Sequence, residues 1–172
     1  MVIRLLTCTS EYPPYGSGIG ISIKNVLKRI KKYNIYSLVC SPIGPNIKVG
    51  NLNIIKKAGR LGLVFYWERV YRKIIDSEDE YDLLWLNQPL LFKRLKVPHV
   101  VTFHITAYGV ANKIREASLP FTWKAYKYLV AYIERESIKK LSATRYTAVS
   151  RQVINELYSL GIKKENVRYI PN

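Results

Sequence analysis

Acidic residues are scarce in this sequence: 12 Asp and Glu stand against 28 Lys and Arg, a net charge of +16. Five of those acids, Asp76, Glu78, Asp79, Glu80 and Asp82, crowd into one short stretch, so the rest of the surface is more basic still. Such a surface favours anionic partners: nucleic acid, acidic lipid head groups or phosphorylated substrates. Cysteine and histidine number two each. Cys8 and Cys40 make no disulfide framework, and with so few histidines no zinc site is expected. No apolar run reaches the roughly 18 residues that would span a membrane. The first apolar stretch carries Arg4 and lacks a small-residue cleavage site, which fits a first strand and not a signal peptide. These absences point to a reducing cytoplasm. There is no internal repeat and no low-complexity segment. A length of 172 residues with 48% apolar content suits one globular domain with a full core.

Short apolar runs alternate with longer helical patterns. Residues 2–9 predict a first strand bounded by a Pro/Gly-rich loop. Residues 18–32 predict a helix burying Ile23, Val26, Leu27 and Ile30, with Lys24, Lys28, Lys31 and Lys32 on its other face. Strands are expected at 35–41 and 51–58. Leu63, Tyr66, Trp67, Val70 and Ile74 form the apolar stripe of the next helix, with Phe65, Arg69, Arg72 and Lys73 off it. Further strands are expected at 82–87 and 99–106. A long helix follows, with Ser118 as N-cap, Pro120 in its first turn, and Trp123, Tyr126, Val130, Ile133 and Leu141 as its core stripe. A strand at 145–149, a helix capped by Ser150 and stopped at Gly161, and a strand at 167–170 complete the series. The order implies an α/β fold, Rossmann-like and doubly wound, with a mainly parallel sheet and helices on both faces. Cys8 and Cys40 end neighbouring strands and are expected to be reduced, buried and structural.

In such a sheet, ligands bind beyond the carboxyl ends of the strands. The first exit loop contains Tyr15, Gly16, Ser17, Gly18 and Gly20. Glycines there admit close approach of a ligand, and the following helix aims free N–H groups at a phosphate or carboxylate. The loop is too long for a dinucleotide fingerprint, and no acid ends the second strand, which argues against a nicotinamide oxidoreductase. Asn87 and Gln88 at the fourth exit could bind hydroxyls. His104 lies near the fifth exit, followed by Thr106. His99, roughly 16 Å earlier along the strand, should face the opposite edge of the sheet. Ser150 marks the sixth exit, with a helix cap as its simplest role. No carboxylate pair, nucleophile–base pair or metal-ligand spacing appears at any exit, so this chain is not expected to hold a complete catalytic set.

Several segments, taken in order, resemble one family. Pro13-Pro14-Tyr15-Gly16-Ser17-Gly18-Ile19 is similar to a Pro-Pro-x-x-Gly-Gly-Ile loop. Tyr81-Asp82-Leu83-Leu84-Trp85 resembles a fourth-strand entry, Thr102-Phe103-His104 a Thr-x-His strand, and Ala148-Val149-Ser150 a Val-Ser helix start. The segment from Asn166 through Val167, Arg168, Tyr169, Ile170 and Pro171 to Asn172 resembles a Val-x-x-Ile-Pro-Asn segment. Together they resemble the retaining GT-B glycosyltransferases of glycosyltransferase family 4, group 1 type. The resemblance implies that residues 1–172 are an N-terminal, acceptor-side domain, half of a GT-B fold, with the nucleotide-sugar-binding C-terminal domain absent from this chain. It implies hexosyl transfer with retention from a nucleotide-sugar donor to a sugar or lipid-linked acceptor. It implies no metal and no cofactor besides that donor. Gly18 would then lie against the donor diphosphate, and His104 would act as the catalytic residue, hydrogen-bonding the transferred sugar. Tyr15, Gly16, Ser17, Gly20, Asn87, Thr106 and Ser150 would complete donor and acceptor binding. Two positions depart from the pattern: Ser17 replaces the first glycine of the pair, and Ile105 replaces an acid that often follows the histidine. The lysine-rich face of the first helix adds an expected peripheral attachment to an anionic membrane.

The main alternative is a non-catalytic nucleic-acid-binding domain, supported by the charge and by 14 tyrosines. Against it, the aromatics fall on helix stripes that look like core, and no RNA-recognition or helix-turn-helix signature is present. No nucleic-acid partner is expected.

Overall fold

The computed structural model describes residues 2–15, 18–115 and 117–171. Seven strands among them form one sheet: β1 (Ile3–Thr9), β2 (Ile35–Ser41), β3 (Ile47–Lys48), β4 (Leu83–Asn87), β5 (His99–Phe103), β6 (Arg145–Ala148) and β7 (Val167–Tyr169). Their spatial order is β3-β2-β1-β4-β5-β6-β7. Every pairing is parallel. This is a Rossmann-like α/β domain, as the alternation of apolar runs and amphipathic stretches implied.

The crossovers decide which face each helix covers, because parallel connections are right-handed. Helix α1 (Gly18–Ile30) carries the chain from β1 to β2 and buries Ile23 and Leu27 against Leu5 and Val39 on one face. The chain then returns across β1, so α2 (Leu52–Asp76), α4 (Phe121–Leu141) and α5 (Arg151–Ser159) pack on the other face. There Trp67, Val70, Ile74, Ile138, Leu141 and Leu157 close over Leu6, Cys8, Cys40, Leu84, Leu86 and Phe103. Alternate residues of β1 thus enter different cores, as a period of two requires. Cys8 and Cys40 stand opposite each other in register, both free and buried. Burial pushes the Cys8 thiol well above its usual range.

Several expectations give way. Residues 51–58 are not a strand: Gly50 takes a φ of +84°, Asn51 accepts a 2.8 Å bond from the Asn53 amide, and that cap opens α2. The strand at this edge is the two-residue β3 instead. Gly59, at φ +56°, breaks α2 early. Strand β5 ends at Phe103, and a short helix, α3 (Ala107–Lys113), follows it. Finally, α4 starts at Phe121 behind Pro120, and its first turns do not bury the expected stripe: Trp123 is 57% exposed. Val26 on α1 is likewise exposed, not core. Gly161, at φ +92°, follows the end of α5 as expected.

Candidate functional site at the carboxyl edge of the sheet

The exit from β1 is tightly folded. Thr9 is buried, and its hydroxyl donates to the Glu11 carbonyl at 2.9 Å while accepting from the Glu11 amide at 3.2 Å. The Tyr66 hydroxyl, reaching across from α2, donates to the Thr9 carbonyl at 2.6 Å and lies 3.2 Å from the Cys40 carbonyl, tying the ends of β1 and β2 together. The chain turns back through a cis Pro13–Pro14 peptide, with the Tyr15 amide bonded to the Tyr12 carbonyl at 2.9 Å. Gly16 and Ser17 lie outside the described residues. Gly18 and Gly20 differ in what they permit. A Cβ on Gly18 would meet nothing within 4 Å, so this position faces open space at the start of α1. A Cβ on Gly20 would sit 3.1 Å from the Tyr12 Cα and 3.2 Å from the Glu11 carbonyl oxygen, so Gly20 lets helix and loop pack closely.

At the β4 exit Asn87 is 1% exposed, and neither its amide nitrogen nor its amide oxygen has a hydrogen-bond partner. Gln88 takes a positive φ and donates to the Ile105 carbonyl at 2.9 Å, stapling the β4 and β5 exits. His104 follows β5, half-buried, with Nε2 unpartnered. Burial lowers its pKa below the usual value, while the nearby Glu11 charge pulls the other way. His99 starts β5 at the opposite edge of the sheet, buried, with Nδ1 2.9 Å from the Val97 carbonyl. Thr106 serves α3: its hydroxyl donates to Glu156 at 2.6 Å and accepts from the Gly109 amide at 2.9 Å. Ser150 caps α5, accepting from the Val153 amide at 3.2 Å.

Two depressions border these residues. One, of about 460 Å³, is lined by Tyr15, Ile19, Lys56, Gln88, Ile105 and Glu134 among others. The other, of about 450 Å³, runs along the sheet beside α1, from Leu5, Ile35 and Leu83 to Thr102, His104 and Val149. Among the described predicted residues, Tyr15 lines the first depression, His104 lines the second, and Asn87 is buried. Sequence reading missed Glu134. This buried carboxylate on α4 accepts from the Ala107 amide at 2.6 Å and the Tyr108 amide at 3.3 Å, holding the start of α3. An acid standing between Val130 and Ile138 at helical spacing was its signal. Among the described residues no group of three or more His, Cys, Asp or Glu is placed to hold a metal ion.

An all-parallel sheet with helices around it and orphaned polar groups at its carboxyl edge defines a Rossmann-like α/β domain, a class in which ligands bind beyond the strand ends. Residues 17–172 match the family described as Glycosyltransferase Family 4, and the chain belongs to that family. It is also similar to an uncharacterized glycosyltransferase of Methanocaldococcus jannaschii, 26% identical over 116 residues. That match covers 60% of this chain and 33% of the relative, so the chain corresponds to about a third of the relative's length.

Proposed function

We infer that this chain is the N-terminal, acceptor-side domain of a hexosyltransferase that moves sugar from a nucleotide-sugar donor with retention of configuration. A second domain following Asn172 would carry the main nucleotide contacts, and the present chain alone would not turn over. The observation that carries this reading is His104. It stands half-buried at a strand exit with Nε2 unpartnered and its pKa lowered by burial, while Gly18 opens the N-terminus of α1 to free space. The positive end of the α1 dipole suits a diphosphate, and donors fixed there would stabilise charge developing on it as the sugar leaves. A neutral imidazole can donate to a sugar hydroxyl without adding charge. The acceptor would be a sugar or a lipid-linked sugar. Among the described residues no helix is long and apolar enough to cross a membrane. A cytoplasmic location with peripheral attachment fits the exposed Lys24, Lys28, Lys31 and Lys32.

The test uses the full-length protein, a set of nucleotide sugars and the anomeric configuration of the product by NMR. Retained products are expected. His104→Ala should lower kcat by about 100-fold or more, the scale of losing one donor to a developing charge, while His99→Ala should leave it nearly unchanged. Equal losses from the two, inverted products, or no donor binding would overturn the reading.

A further inference from the structure

Helix α2 is broken near its start, where Gly59 leaves the helical region at φ +56° and ψ −134°. Side chains would obstruct the break. A Cβ on Gly62 would lie 2.8 Å from the Ile54 carbonyl oxygen, and one on Gly59 would lie 3.1 Å from the Tyr126 hydroxyl. Residues 56–59 thus stand beside the start of α4, and a hollow of about 440 Å³ opens there, lined by Lys56, Lys57, Gly59, Thr122, Trp123 and Tyr126 among others. Among the described residues no acid lines it. A third lysine, Lys127, stands 5.5 Å from the Trp123 ring centre and 5.7 Å from that of Tyr126. Among the described residues none of these three lysines is in an ion pair, whereas Lys93, Lys96 and Lys139 each have a carboxylate partner. Pro120 gives α4 no side-chain cap, and Thr122 lies in its first turn, so the helix dipole adds to the positive potential of the hollow.

We propose that this hollow is an anion subsite that holds a phosphoryl group of the acceptor, with Lys56, Lys57 and Lys127 as its cations, so that the sugar accepted is a phosphorylated one. Its position ties it to the candidate site, because it shares Lys56 and Gly59 with the depression that Tyr15 lines. The two compartments differ in charge. The depression holds Glu11, Glu134, Gln88 and Tyr15, polar groups of the kind that bind sugar hydroxyls. The hollow holds lysines and no described acid. A molecule spanning both carries hydroxyls at one end and negative charge at the other. Each compartment falls in the range of roughly 300–1,000 Å³ usual for small-molecule sites. The type of base decides for phosphate over carboxylate. A carboxylate is best matched by the flat fork of a guanidinium, whereas clustered ammonium groups act as point charges suited to the higher charge of a phosphate. Aromatic rings hold these ammonium groups near the hollow: Lys56 stands 5.2 Å from the Tyr15 ring centre, and Lys127 lies over Trp123 and Tyr126. Less side-chain freedom then remains to be lost when the anion binds. The assignment deepens the glycosyltransferase reading and rests on it only for the role of the bound sugar as acceptor.

The test is equilibrium binding to the full-length protein by calorimetry, with a nucleoside diphosphate present to occupy the donor site. The ligands are inorganic phosphate, hexose phosphates, the parent hexoses, and a water-soluble short-chain phospholipid with a hexose head group. Hexose phosphates should bind about tenfold or more tightly than their parents, the scale of hydrogen bonds to a charged group, and added salt should narrow the gap. Lys56→Gln with Lys57→Gln should abolish the difference, while circular dichroism and nucleotide binding stay the same. Lys28→Gln with Lys31→Gln removes the same charge from α1 and should leave the difference intact. Tighter binding of the free hexose phosphates assigns a soluble acceptor, and tighter binding of the phospholipid assigns a lipid head group; either must depend on Lys56 and Lys57. No binding of any phosphorylated ligand, equal affinity for phosphorylated and parent hexoses, phosphate binding that survives loss of Lys56 and Lys57, or equal losses in the two double variants would overturn the proposal. Lysine-dependent binding without sugar transfer would count against the transferase reading alone, and transfer to plain sugars with no preference for phosphate would count against this subsite alone.

Discussion

A histidine at a strand end and a glycine in a turn are common, and only their surroundings give them meaning. Burial makes protonation of His104 costlier in the folded chain than in the unfolded one. The unfolded chain therefore binds more protons as pH falls through about 6.5, the unperturbed value, and stability falls with it. In denaturant titrations at pH 7 and pH 5, His104→Gln should gain on the wild type at the lower pH. A gap independent of pH would contradict the burial of that ring. The two glycines give a sharper contrast. Gly20→Ala drives a Cβ against the backbone of the first loop and should cost about 1–3 kcal/mol, as overpacking does. Gly18→Ala faces open space and should leave the urea midpoint almost unmoved. Equal costs would mean that α1 does not pack on the loop as described.

Helices and strands fared unevenly when read from sequence, for reasons local to each. The strands β1, β2, β4, β5 and β6 were legible because apolar runs bounded by turn residues have few other uses in a parallel sheet. Residues 51–58 misled because Ile54 and Ile55 suit either a strand or a helix, and only the Asn51 cap decides. α3 was missed because a seven-residue segment containing Gly109 has little helical preference of its own. What holds it is Thr106, capping its start, and Glu134, distant in sequence on the middle of α4. Glu134→Ala should therefore cost about 1.5–3 kcal/mol, the worth of hydrogen bonds to a charged group, and hydrogen exchange at Ala107 and Tyr108 should rise before that of the sheet. Unchanged exchange there would deny the cap. The candidate site was legible as far as strand exits go, since the sheet rule places them. Ser150 was legible as a helix cap, whereas the use of Thr106 to cap α3 arises from packing that no periodicity records. The same limit hid the apolar outer face of α4, whose aromatics satisfy a core pattern equally well.

At the scale of the molecule, 28 bases against 12 acids leave repulsion that the few surface ion pairs, such as Arg4 with Asp82 at 2.9 Å, do not cancel. Screening reaches about 10 Å at 0.1 M salt. The thermal midpoint by calorimetry should therefore rise with moderate sodium chloride, and a fall would show that attractive pairs dominate. One feature of the sheet bears on how this chain is made. Among the seven strands β1 is synthesised first, yet it lies inside the sheet, with Leu5 opposite Ser37 on one side and Leu83 on the other. Its second edge must wait for some eighty residues of later chain. Non-local pairing of this kind slows folding, and an unpaired apolar edge invites wrong partners. During translation the interval between β1 and β4 is thus the stretch in which a chaperone would have most to do.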